Sequence, residues 1–233
     1  MLISGIQKFT LLDYPEKAAC IIFTPGCNFR CGYCHNPEFV LPEQIKELRG
    51  SMIPDEAVFG FLEKRRGLLD GVVITGGEPT LMPDLKDFII RVRDLGFLVK
   101  LDSNGNRPGV LEDLFKSNLL DYVAMDVKTS LPRYTELVGS QAKPEHIKKS
   151  MDIIRESGVD YEFRATLVRE IHSDEVLSEM KELLQGSKRF FVQTFRSGKV
   201  LDPKFEEYHG FASGEMEEIA TRFSEVVDEA GVR

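Results

Sequence analysis

Residues 27–38 read Cys27-Asn28-Phe29-Arg30-Cys31-Gly32-Tyr33-Cys34-His35-Asn36-Pro37-Glu38 and place three of the chain's four cysteines within eight positions. Four chemistries use such a spacing. Cys31 and Cys34 match a thioredoxin-type dithiol, Cys31 to His35 spells a c-type haem attachment site, and three thiols with an imidazole can close a zinc site. The fourth is an iron–sulfur cube, which prefers one thiolate per iron and here has one corner left open to an external ligand. A haem of this type needs export, and a dithiol leaves Cys27 unexplained, with Pro37 limiting any helix that starts at Cys34. Zinc with His35 is stereochemically reasonable and stays open at this point.

Upstream lies the apolar run Ala18-Ala19-Cys20-Ile21-Ile22-Phe23, in which Cys20 reads as a buried, inert thiol. Similar runs recur at Ala19–Thr24, Gly71–Thr75, Phe97–Leu101, Tyr122–Val127, Tyr161–Val168 and Phe190–Phe195, which predicts six strands. Helical spacing falls between them, at residues 55–66, 83–95, 110–117, 145–156 and 174–184, with a last helix near 214–228. Pro54, Pro83 and Ser173 start helices, and Gly96, Gly158 and Gly186 stop them. Alternation of this kind predicts an α/β fold with parallel strands, either a barrel or an open sheet. No linker marks a second domain. The reading is one domain over 1–233, with an N-terminal extension at 1–17, a core over about 18–196, and a C-terminal loop and helix at 197–233.

In such folds the ligand site forms from the loops that follow the strands. The cysteine segment follows the first predicted strand, Thr75-Gly76-Gly77-Glu78-Pro79 the second, Asp102-Ser103-Asn104-Gly105 the third and Asp126-Val127-Lys128 the fourth. The unusual residues therefore share one rim. Asp126 and Lys128 lie on one face of a strand, as do Glu162, Arg164 and Thr166, opposite Tyr161, Phe163, Ala165 and Leu167. Charges facing inward suit the wet interior of a barrel better than a sheet covered on both faces.

With 42% apolar and 29% charged residues the composition is that of a globular protein with a substantial core. A net charge of −8 argues against general nucleic-acid binding. No apolar run is long enough to span a membrane, the N-terminus lacks a signal-peptide pattern, and the expected location is cytoplasmic. Clustered thiols in a reducing compartment point to metal or redox chemistry.

Cys27, Cys31 and Cys34 in this spacing, followed by Gly76-Gly77-Glu78-Pro79, resemble the radical S-adenosylmethionine (SAM) superfamily. The wider run 26–38, with Asp102-Ser103-Asn104-Gly105 and Asp126-Val127-Lys128, is similar to the glycyl-radical-enzyme activating enzymes. Ser4-Gly5-Ile6-Gln7-Lys8-Phe9 and Asp13-Tyr14-Pro15 look most like the activating proteins of anaerobic ribonucleoside-triphosphate reductase. Tyr14-Pro15-Glu16-Lys17 departs from the glycine-rich segment usual in the pyruvate formate-lyase branch, and four cysteines leave no room for a ferredoxin-like insert.

The resemblance implies a partial (β/α)6 TIM-type barrel. It implies a [4Fe-4S] cluster on Cys27, Cys31 and Cys34 that reduces SAM, yielding methionine and a 5′-deoxyadenosyl radical that takes hydrogen from a glycine Cα. Tyr33 would lie near the adenine, and Gly76, Gly77 and Glu78 near the methionyl amino group. Lys128 and Arg164 would hold SAM, Arg164 gripping its carboxylate. Asp102, Ser103 and Asp126 would contact the ribose or a monovalent cation. Gln193 and Phe195 would shape the entrance, and His35 would order the loop. The implied partners are the large subunit of anaerobic ribonucleoside-triphosphate reductase and a flavodoxin or ferredoxin as electron donor, with no nucleic acid and no membrane. Activation of another glycyl radical enzyme, a small-molecule radical SAM reaction such as deazapurine synthesis, and a zinc-binding interaction protein are the alternatives.

Overall fold

The computed structural model describes residues 1–233. Its chain falls into two compact units, one of residues 1–28, 37–103 and 109–123, the other of residues 29–36, 104–108 and 124–233. Strands β1 (Gly5–Thr10), β2 (Ala19–Thr24), β3 (Gly71–Gly76) and β4 (Leu98–Ser103) belong to the first unit, with helices α1 (Pro42–Leu48), α2 (Asp55–Glu63) and α3 (Leu85–Asp94). Helix α4 (Pro108–Lys116) leads to β5 (Tyr122–Asp126), which passes from the first unit into the second. The second unit continues with α5 (Tyr134–Val138), α6 (Pro144–Glu156), β6 (Asp160–Leu167), α7 (Asp174–Leu184), β7 (Ser187–Thr194), α8 (Ser213–Phe223) and β8 (Val227–Val232). Within the first unit β1 to β4 pair in chain order, and within the second β6 to β8 do.

In the first unit β2, β3 and β4 are parallel, in the register Ala19↔Gly71↔Leu98 and Ile21↔Val73↔Lys100. Partners in register share a face, so these rows stack as layers. Tyr14, Ala19, Ile21, Val73 and Tyr122 pack into one buried cluster. Gly71 is required there, because a Cβ would stand 2.8 Å from the Tyr14 ring. Tyr14 of the Asp13-Tyr14-Pro15 segment is thus a core residue, 3% exposed.

In the second unit β6, β7 and β8 are parallel, with Phe163↔Phe190 and Phe190↔Ala230 in register. Helix α8 seals this sheet through Phe223, whose ring lies 4.5 Å from that of Phe190. Helix α6 presents Ile147, Met151 and Ile154 to the interior, the i, i+4, i+7 stripe its sequence predicts.

The six predicted strands are all present, and two more flank them. β1 pairs antiparallel with β2 and leaves Gln7, Lys8 and Phe9 exposed, so it lacks a strand's apolar alternation. The helix predicted near 214–228 ends at Phe223, and Val227–Val232 forms β8. Val-Asp-Glu-Ala favours neither state strongly, and pairing with β7 decides it.

Candidate active site

In the first unit, the cysteine segment is entered through a mesh of main-chain bonds. Gly26 N–H donates to Phe39 O at 2.7 Å, Gly77 N–H to Thr24 O at 2.8 Å and Glu78 N–H to Gly26 O at 2.7 Å. Both glycines of the Gly76-Gly77 pair serve this approach. Gly76 has φ +127°, and a Cβ on Gly77 would lie 2.1 Å from Gly26 O. Glu78 is 1% exposed, and its Oε1 accepts from Thr80 N–H, Thr80 Oγ1 and Ser103 Oγ at 3.1, 2.5 and 3.0 Å. Glu78 and Ser103 are thus brought together, with the carboxylate fixed in orientation. Asp102 is met by Lys100, whose Nζ lies 2.5 Å from Oδ1. Lys100 is 1% exposed. In the sequence, Lys100 shows only as an interruption of an apolar strand, on the face that carries Asp102.

In the second unit, Cys31 is buried, Cys34 is half-buried, and Cys34 N–H donates to Cys31 O at 3.0 Å. Residues 195–208 lie over this part of the loop. Asp202 N–H donates to Gly32 O at 3.0 Å, and the Tyr33 ring lies 6.5 Å from Phe195 and 6.1 Å from Phe205. His35 stacks on Phe195 at 5.6 Å, and its Nε2 meets Arg196 O at 2.8 Å, the loop-ordering place expected of it. A Cβ on Gly32 would stand 2.2 Å from the Phe205 ring, so this glycine answers to an aromatic residue far along the chain. Phe195 is buried and Gln193 half-buried.

Asp126, Lys128 and Arg164 converge. Asp126 takes Lys128 Nζ at 3.0 Å on Oδ2 and Arg164 Nε at 3.2 Å on Oδ1. Burial disfavours the charged carboxylate, but the two cations outweigh it and hold Asp126 at about 2. For Lys128, burial works against the ammonium and the Asp126 charge overcomes it, raising its pKa well above the ordinary lysine value. The Lys128 backbone is clamped as well. Its N–H donates to Tyr134 Oη at 2.9 Å, and its carbonyl lies 3.0 Å from His172 Nε2. Val168 N–H donates to His172 Nδ1 at 2.9 Å, which leaves the ring proton on Nε2 for the Lys128 carbonyl. His172 is a buried bracket of this site.

As residue types, three cysteine thiols suit an iron–sulfur cluster. Cys27 and Cys34 are half-buried, whereas Cys20 is fully buried and burial pushes its thiol up to about 12, far from a ready thiolate. Cys27 lies in the first unit, Cys31 and Cys34 in the second. The site also suits a polar cofactor. Tyr33 Oη is buried with no hydrogen-bond partner, and burial followed by the charge of Cys31 raises its pKa, so it remains a phenol able to donate. A monovalent cation does not fit, since Asp102 and Asp126 each already carry ammonium or guanidinium partners.

Residues 21–184 match the radical SAM superfamily. The "Putative glycyl-radical enzyme activating enzyme MJ1227" of Methanocaldococcus jannaschii is 33% identical over 237 residues, covering 100% of this chain and 95% of its own length. The pyruvate formate-lyase-activating enzyme of Clostridium pasteurianum is 31% identical over 128 residues, which cover 54% of this chain and 52% of that protein. Among solved structures, Streptococcus suis SuiB bound to S-adenosylmethionine superposes with a TM-score of 0.65 at 18% identity. It covers 91% of this chain, which spans about half, 51%, of SuiB, and at this identity the likeness is one of fold. The chain belongs to the radical SAM superfamily, whose cofactors are a [4Fe-4S] cluster and SAM, and within it stands among the glycyl-radical enzyme activating enzymes.

Proposed function

We propose that this protein installs a glycyl radical on anaerobic ribonucleoside-triphosphate reductase, with a flavodoxin or ferredoxin as the electron source. Once bound, the cluster would supply the one-electron reduction that cleaves SAM to methionine and a 5′-deoxyadenosyl radical, the oxidant for a glycine Cα–H. Cys27, Cys31 and Cys34 would hold the cluster, with SAM bound beside it. Lys128 and Arg164 bind the anionic end of SAM, Tyr33 donates toward the cofactor, and the Gly76-Gly77-Glu78 turn receives the methionyl amino group. The single observation that carries this reading is full-length similarity to a glycyl-radical enzyme activating enzyme, joined to the cysteine and Gly-Gly-Glu-Pro motifs. The Ser4–Phe9 and Asp13–Pro15 segments favour the ribonucleotide reductase as partner.

A cleft of about 440 Å³ supports a polypeptide substrate. Arg30 and Gly32 of the cysteine loop, Thr129 beside Lys128, and Phe205 and Tyr208 line it. Thr129 Oγ1 is buried there without a partner, a group that a peptide amide can satisfy.

The deciding experiment is electron paramagnetic resonance of the organism's anaerobic ribonucleotide reductase after incubation with this protein, SAM and reductant. A glycyl signal is expected; SAM cleavage without one moves the reading to a small-molecule substrate. Replacing any of Cys27, Cys31 or Cys34 by alanine abolishes iron incorporation, while Cys20→Ala retains it. Equal loss from Cys20→Ala refutes the ligand set.

A further inference from the structure

Resting on the reading that Asp102 faces bound SAM, we propose that Lys100 is the resident cation of this site. Its ammonium stands where a monovalent metal ion would sit beside Asp102, so SAM binds without sodium or potassium.

The sheet register explains why Lys100 cannot be a solvated surface charge. It occupies the same layer as Ile21 and Val73, and its Nζ lies 5.9 Å from the centre of the Tyr122 ring, itself part of the apolar cluster. From that layer the four-carbon stem rises along β4 to Asp102, two residues on and on the same face, with Nζ and Oδ1 2.5 Å apart. An ammonium among apolar side chains is retained only with a close counter-charge, so Lys100 and Asp102 fix each other. A second cation on Asp102 would meet a like charge in a site of low polarisability. Asp126 offers no alternative seat within its own unit, because Lys128 and Arg164 occupy both of its oxygens.

The test is calorimetric titration of SAM into the cluster-loaded protein in sodium, potassium or tetramethylammonium chloride at equal ionic strength. The wild-type dissociation constant is expected to agree across the three salts within about twofold. For Lys100→Met, affinity in tetramethylammonium should fall about tenfold. Potassium or sodium should restore it by entering the vacated space, a rescue that a merely structural lysine would not give. Wild-type binding that tightens severalfold in potassium overturns the inference alone, as does a Lys100→Met protein that binds SAM normally in tetramethylammonium. If Lys100→Met does not fold, the wild-type salt series still decides. Absence of SAM binding in every salt overturns the functional reading together with this inference.

Discussion

Lys128 illustrates how a single residue becomes a fixed instrument. Its ammonium is aimed by Asp126, its N–H is held by Tyr134 and its carbonyl by His172. His172 is 1% exposed, and burial lowers its pKa below the ordinary value although the Lys128 and Val168 backbones oppose this. In the unfolded chain it titrates near 6.5. Above that pH both states are neutral and the full contribution to stability is present; as the pH falls through about 6.5, the unfolded chain takes up a proton that the folded protein resists. Stability is therefore lost on the acid side, by at most about 1.4 kcal/mol per pH unit for one proton. Urea unfolding of wild type and His172→Gln across this range should show the wild-type curve falling more steeply, and parallel curves would exclude His172 as the source. Replacement by alanine removes a ring bonded on both nitrogens and should cost about 2–4 kcal/mol at neutral pH.

The element that organises the cysteine loop is the segment after β7. Its Phe205 occupies the space over Gly32, and its Phe195 and Arg196 hold His35. Gly32→Ala should therefore displace residues 196–208, read as faster amide hydrogen exchange there, and Phe205→Ala in the same chain should restore protection. Unchanged exchange in Gly32→Ala would show that the segment does not depend on this contact. None of this was legible in the sequence, because the ring that Gly32 faces lies more than 170 positions along the chain. Elements with a clear apolar pattern were legible: the two-faced helices α6 and α7 and the strands β2 and β3, apolar on both faces, fall close to their predicted spans. β1 and β8 were missed because edge strands gain their order from a partner rather than from their own pattern.

Across the whole molecule, the motifs stand out in the sequence because each follows an apolar strand, where a polar or glycine-rich run breaks the pattern. What the sequence hid are the counter-charges that hold these residues, since a pairing between distant positions leaves no local pattern. Glu162 is the clearest case. Its side chain is fully buried; Arg233 Nη1 lies 2.7 Å from Oε1, and Arg164 Nη1 is 4.0 Å away. The Arg233 guanidinium also lies 3.7 Å from the centre of the Phe191 ring. Arg164 thus stands between two carboxylates, Glu162 and Asp126, and Arg233 satisfies the first so that Arg164 can serve the second. Arg233→Ala leaves a buried carboxylate short of its nearest cation. Because Arg233 is itself about one-third exposed, 35%, and Arg164 can turn toward the deserted charge, the cost should be nearer about 2 kcal/mol than the upper range for broken buried pairs. The same turn loosens Asp126 and Lys128, so SAM affinity should weaken along with stability. Glu162→Gln in the Arg233→Ala chain removes the stranded charge and should recover most of both losses. A double variant as weak as the single one would show that Arg233 acts by packing on Phe191 and not through this line of charges.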